Sequence, residues 1–446
     1  MITIKNIAAC AMRTGAAALF LINSAWAGIP VQSWTQPGGV QIYLVESPGI
    51  AMVDVQIALD AGSRRDPADK PGLASLMASG TAYGVRASAT EPALDENALS
   101  DAWADLGASF GSSAGADRLS FSLRSLTYPD LLEKAVTLAA RQLAQPVFDA
   151  ALWSRDRPKL IASLKEANTK PATLAARALA GAVFAGHPYG WEMSPESLMR
   201  ISVQDMADLH ARAVRRCGAK VSIVGALSRA QADALVGQLL ARVPQAACET
   251  KPVVAEVAPL QAASEQRIPF VSAQAHVLLG QPGIKRDDPD FFALTVANHI
   301  LGGGGFTARL TEEVRQKRGL TYSVYSYFAP GTHAGAFTIG LQTRPDQAQQ
   351  ALDLVREVLA TFVQDGPSVA ELQAAKDNLI GGFALRIDSN RKLLDNVSNI
   401  AWNNLPLDYL DTWTAQVQKL SVADVRSAFA RVVKPQTMAT VVLGAQ

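Results

Sequence analysis

Arg318 and Tyr322 lie four residues apart in LGGGGFTARLTEEVRQKRGLTYSVYSYF, residues 301–328. A guanidinium carries five N–H donors and can hold a peptide carbonyl or a terminal carboxylate. A phenol can donate to a developing oxyanion. The pair therefore suits the binding and polarisation of an amide. Each residue also has a plain structural use, since an Arg at a helix C-terminus complements the dipole and a Tyr packs well on a sheet. Just upstream, Gly302, Gly303, Gly304 and Gly305 are followed by no Lys-Ser or Lys-Thr, so they do not form a phosphate cradle. Four glycines permit either a mobile connection or a close approach of backbone to an extended peptide.

The sequence offers no metal site to go with this pair. Its five histidines, at 187, 210, 276, 299 and 333, include no two that are four apart. No single helix therefore presents the i, i+4 pair of imidazoles that a zinc-peptidase helix needs. Ser75 and Ser79 have no His or Lys beside them in sequence to activate a hydroxyl.

Residues 311–318 have helical character, and Gly319 supplies the left-handed stop expected after a helix. Residues 321–328 then alternate, which predicts a strand with Tyr322, Val324, Ser326 and Phe328 on one face. Arg318 and Tyr322 would meet at that helix-to-strand corner. The corner belongs to a repeated plan. SVQDMADLHARAVRRCGAKVSIVGA, residues 202–226, aligns without gaps on SVADVRSAFARVVKPQTMATVVLGA, residues 421–445, at an offset of 219. Gly62-Ser63-Arg64-Arg65-Asp66 matches Gly283-Ile284-Lys285-Arg286-Asp287 at an offset of 221. The repeat divides the chain into residues 28–245, a Pro-containing linker at 246–264, and residues 265–446. Strand patterns at 40–46, 53–59, 119–126 and 335–341, with a helix over 368–386 opening on a Ser368/Glu371 capping box, give the class α+β. Each half should be a mainly antiparallel sheet covered by helices.

With these residues in view, the chain resembles the insulinase, pitrilysin and mitochondrial-processing-peptidase type of zinc metallopeptidase. The glycine-rich loop and Arg/Tyr segment carry the resemblance, together with residues 61–66, Gly72-Leu73-Ala74, Gly80-Thr81 and the His187-Pro188-Tyr189-Gly190 landmark. That family's HxxEH motif reads here as Ser75-Leu76-Met77-Ala78-Ser79, with serines at both His positions and Ala78 at the Glu. The third ligand of the family would fall near Asp156, between Arg155 and Arg157, where a lone carboxylate reads as a solvated helix charge. The resemblance implies two homologous halves closing as a clam-shell. It also implies the non-zinc subunit of a heterodimeric bacterial peptidase, with no metal in this chain. A partner subunit bearing HxxEH would supply the zinc. Arg318 and Tyr322 would be catalytic, and Gly302 to Gly305 would border the peptide substrate. The alternatives are a peptide-binding or scaffold protein with no part in catalysis, and a homodimer with an activity of its own.

Lys5 and Arg13, the apolar run 15–23 and Ala25-Trp26-Ala27 predict a secretory signal cleaved after residue 27 and a periplasmic or secreted product. Losing those two cations takes the net charge from +1 to −1, which leaves no basic stripe for nucleic acid. No later apolar stretch approaches the roughly 20 residues that span a bilayer. Cys217 and Cys248 remain, either as one local staple or as two thiols.

Overall fold

The computed structural model describes residues 28–245, 248 and 250–444; the expected signal segment, residues 1–27, lies outside the described residues. The first sheet contains β1 (Gln32–Gln36), β2 (Val40–Glu46), β3 (Met52–Leu59), β6 (Ser109–Ala114), β7 (Leu119–Leu126) and β8 (Lys220–Gly225). A separate ribbon joins β4 (Gly84–Val85) to β5 (Leu94–Asp95). The second sheet contains β9 (Ser264–Ile268), β10 (Ala275–Pro282), β11 (Ser323–Phe328), β12 (Ala336–Thr343) and β13 (Ala439–Leu443). Without β1, the first sheet runs β6-β7-β3-β8-β2 and the second runs β11-β12-β10-β13-β9. The two orders correspond strand for strand. Each sheet has one parallel pair, β2 with β8 and β13 with β9, among antiparallel neighbours. Alternation places Val40, Ile42 and Leu44 of β2, with Val221 and Ile223 of β8, in the core of the first half.

Several helices cover one face of each sheet, and a single helix from the opposite half covers the other. The Pro171–Val183 helix lies on β10 and β13, where Ala175, Leu179 and Val183 pack with Leu278, Ala439, Val441 and Leu443. In return, the Asn390–Trp402 helix lies on β8, β3 and β2. Its Leu394, Val397 and Ile400 share a buried cluster with Val45 and Val224 of the first sheet. The starting residues 171 and 390 differ by 219, the offset of the C-terminal repeat. Gly280 allows the close approach on one side: a Cβ there would stand 3.0 Å from Leu179 Cδ2. On the other side, Lys220 Nζ donates to the carbonyls of Ala401 at 2.7 Å and Trp402 at 3.2 Å, and so satisfies the open end of its helix.

Capping explains where several helices begin. Ser202 with Asp205, Ser421 with Asp424, and Ser368 with Glu371 each form the reciprocal pair of bonds expected from their spacing. The helix that Ser368 caps runs over Val369–Gly381 and gives way to a 3-10 turn at Phe383–Arg386, so it is shorter than the pattern over 368–386 suggests. The tandem Gly381 and Gly382 account for the break. Residues 250–263 form no helix or strand. Arg65 Nη1 donates to Pro252 O at 3.0 Å, and Lys285 pairs with Glu256 at 2.5 Å, which tethers this stretch to both halves. Cys217 and Cys248 are joined, with Cα atoms 5.4 Å apart.

Asp66 sets the start of the Leu73–Gly80 helix by accepting from the N–H groups of Gly72 at 2.8 Å and Ala74 at 2.9 Å. Burial nonetheless pushes its carboxyl up to about 6. A carboxyl whose folded pKa is raised favours the folded state when protonated, so its stabilising contribution is lost as pH rises from about 4 to about 6. In urea denaturation across this window, wild type should lose on the order of 2 kcal/mol relative to Asp66→Asn. A difference between the two that stays constant with pH would contradict the burial argument. Leu179→Ala, which hollows the contact between the exchanged helix and the second sheet, should destabilise the chain by about 2–4 kcal/mol in the same assay.

Candidate functional site

The corner that carries Arg318 is a π-helical turn, Thr311–Gln316, held down by buried Leu310, Thr311 and Val314. Gly319 ends it with φ +61°, in the left-handed region. Leu320 then enters the core, and Thr321 Oγ1 reaches the carbonyls of Gln342 at 2.5 Å and Ser323 at 2.8 Å. These two inward anchors project the next residue outward. Tyr322 is 84% exposed and precedes the strand, which starts at Ser323. The face predicted from alternation is thus corrected: Val324 and Ser326 point inward, and Tyr322 is not with them. Tyr325 and Tyr327 occupy the opposite face, their rings stacked with centroids 6.0 Å apart.

Arg318 shares the corner with Tyr322 and is itself engaged. Its Nη1 donates to Glu313 Oε2 at 2.7 Å and to Glu313 O at 3.3 Å. Lys317 Nζ shares Glu313, at 2.7 Å, and also lies 3.0 Å from Glu312. With the Arg318 side chain 44% exposed, this ion pair is a weak hold, worth about 0–1 kcal/mol, and a carboxylate or carbonyl ligand can compete with it. Glu313 was not singled out by sequence reasoning. Its i, i+5 spacing from Arg318 falls outside the usual helical pairing and becomes a contact only through the wider π-turn.

The glycines upstream form a continuation of the Phe291–Asn298 helix rather than a free connection. His299–Gly303 is a π-helical turn, followed by a 3-10 turn at Gly305–Thr307. Gly302 is buried against β11, and a Cβ there would stand 2.5 Å from Ser326 Oγ. Packing accounts for that glycine. Gly304 is partly covered, with His299 O 2.6 Å from its would-be Cβ. Gly303 and Gly305 face solvent, and Gly305 has φ +65° with open space around it. A ligand approaching this loop therefore meets Gly303 and Gly305.

At the positions of the absent zinc motif, the Leu73–Gly80 helix is an ordinary core element. Leu76, Met77 and Ala78 are buried, and Ala78 O accepts from Thr81 Oγ1 at 2.8 Å and Ser112 Oγ at 2.7 Å. Ser75 is partly covered. Ser79 is exposed and donates back to Ser75 O at 3.0 Å. Asp156 is paired with Arg155 at 2.8 Å and Lys159 at 3.1 Å. The hydrogen bond from Arg155 holds its carboxyl down at about 2. A zinc ion at this helix would find two hydroxyls and a methyl where it needs imidazoles and a carboxylate, so the residues do not fit the metal. Among the described residues, no three His, Cys, Asp or Glu side chains come together as a metal site.

The Gly-x-x-Arg-Asp framework around this helix has a structural purpose of its own. Asp60 holds Arg64 at 2.7 Å and Arg65 at 2.7 Å, while a Cβ on Gly62 would lie 2.4 Å from Ala116 O. In the second half Gly283 sits as tightly, with Gly335 O 2.9 Å from its would-be Cβ, and Arg286 donates to Tyr409 Oη at 2.7 Å. The His187 landmark is a 3-10 turn at Pro188–Gly190. Buried His187 accepts from Tyr189 N at 3.1 Å through Nδ1, and its Nε2 lies 3.0 Å from Ala255 O. It serves as a brace for the linker.

Comparison with known proteins agrees with the geometry. Residues 41–194 match the family model described as Insulinase (Peptidase family M16), and residues 200–379 match Peptidase M16 inactive domain. An uncharacterized zinc protease of Mycobacterium tuberculosis is 25% identical over 426 residues, covering 92% of each chain. A non-peptidase homolog from Helicobacter pylori is 27% identical over 298 residues, 66% of this chain and 68% of that protein. The crystal structure of a peptidase M16 inactive domain from Pseudomonas fluorescens is 34% identical, covers 93% of this chain and 98% of that one, and superposes with a TM-score of 0.87. The chain belongs to the M16, or insulinase, peptidase family, and its residues 200–379 match the family's inactive domain.

Proposed function

We propose that this chain is the non-zinc subunit of a heterodimeric M16 peptidase. A partner of the same family carrying HxxEH would hold the zinc and the general base. The observation that carries this reading is Tyr322, a phenol left 84% in solvent at the same corner as Arg318. In a two-chain enzyme the corner has a use: Arg318 exchanges Glu313 for a substrate carbonyl or carboxylate, and Tyr322 donates to the oxyanion that develops on the scissile amide. Gly303 and Gly305 admit the peptide backbone nearby. The M16 framework without metal-binding side chains supports a role that depends on another chain. The disulfide between Cys217 and Cys248 supports an exported, periplasmic or secreted location, since such bonds persist where the surroundings are oxidising.

The competing reading, a peptide-binding or scaffold protein with no catalytic part, gains from the Glu313 contact, which leaves Arg318 occupied when no ligand is present. Activity of the assembled pair separates the two. Mixed with an HxxEH partner, wild type should raise peptide cleavage above that of the partner alone. Arg318→Ala and Tyr322→Phe should each lower kcat/KM by about 10- to 1000-fold while assembly is retained. Unchanged turnover in both variants would assign the chain to the scaffold reading. Stability should scarcely respond, by less than about 1 kcal/mol, because both side chains are exposed.

A further inference from the structure

The Pro171–Val183 helix covers β10 and β13 but stops short of the outer strands of the second sheet. Between its end, the following turn and those strands lies a cavity of about 400 Å³. Leu179, Val183 and Phe184 of the first half form one wall. Tyr325 and Tyr327 form the other, 39% and 45% exposed. The floor is the sheet itself, and Gly340 shapes it: a Cβ there would stand 2.5 Å from Tyr325 Cζ, so only glycine lets that ring lie flat. Tyr189 closes one end, packed edge-on against Phe184 with centroids 5.7 Å apart.

The charges around the cavity are already satisfied. Asp117 is the one carboxylate in its lining among the described residues. Its Oδ1 accepts from Tyr189 Oη at 2.6 Å, and its Oδ2 accepts from Thr332 N at 2.9 Å. Arg64 Nε stands 3.6 Å from Oδ1. His333 N donates to Tyr189 Oη at 3.1 Å, so this phenol too has both its bonds. A charged ligand would lose its hydration here and find no free counter-charge. An apolar ring would find aromatic faces and aliphatic walls in a volume within the usual range for small-ligand sites, about 300–1,000 Å³.

We propose that this seam cavity is a binding site for an uncharged aromatic side chain, either free or carried within a peptide. Its walls come from both halves, so an occupant favours the arrangement in which the Asp117, Tyr189 and His333 bonds are closed. The site does not depend on Arg318, on zinc or on a partner chain.

Saturation-transfer NMR titration of the mature chain tests it, with N-acetyl-L-tryptophanamide as the free probe and acetyl-Gly-Gly-Trp-Gly-Gly-amide as the peptide probe. Saturable binding is expected, at least tenfold weaker in Ala180→Phe, which fills the cavity, and in Tyr327→Ala, which removes a half-exposed wall and keeps the core intact. Arg318→Ala should bind as wild type does, which separates this site from the peptidase reading. Binding of both probes or of the free probe alone supports a free ligand as occupant, and binding of the peptide probe alone supports a peptide-borne ring. Saturation by neither probe would overturn the proposal. So would unchanged affinity in Tyr327→Ala with native circular dichroism.

Discussion

The reciprocal exchange of one helix between the halves is the constraint on which the rest depends. Neither sheet covers both its faces from its own half: Leu278 and Val441 need Leu179 and Val183 above them, and Val45 and Val224 need the helix that carries Val397. Apolar burial across this exchange is worth roughly 25 cal/mol per Å² removed from water and is kept only if both partners stay in place. The halves are thereby fixed as one body even though residues 250–263 between them form no helix or strand. The tethers at Arg65 to Pro252 and Lys285 to Glu256 then place that linker along the seam.

This arrangement explains how the chain keeps a peptidase framework without a metal. The Leu73–Gly80 helix draws its position from Asp66 at one end and from Met77 and Ala78 in the core, and zinc has no part in either. Hydroxyls and a methyl can stand at the motif positions at little cost, because those side chains lie partly or wholly on the open side apart from Ala78. The second half has kept more that chemistry can use. Leu320 and Thr321 are spent on anchoring, and that same anchoring pushes Tyr322 into solvent, where a ring contributes nothing to folding.

Much of the architecture was legible in the sequence, for identifiable reasons. The 219-residue offset reappears as matching strand orders, and the Ser202, Ser368 and Ser421 caps form because their spacing satisfies the first N–H groups of each helix locally. β2 and β7 follow their alternation because each has one face in a core. What escaped depends on distance in sequence or on departure from ideal geometry. Amphipathicity shows that residues 171–183 bury a face but cannot say that the face belongs to the other half's sheet. The alternation through 321–328 misplaced Tyr322 because the Thr321 hydroxyl turns the chain before the strand begins. The π-turns at 299–303 and 311–316 have no sequence period of their own, so both the Gly302 packing and the Glu313 contact were hidden.

The most direct measurement is the recovery of the tagged mature chain from its native compartment, with mass spectrometry, zinc analysis and a peptide-cleavage assay on the eluate. The account predicts a co-purifying M16 chain that bears HxxEH, zinc in proportion to that partner, and cleavage activity. Recovery of this chain alone, free of zinc and inert toward peptides, would contradict it.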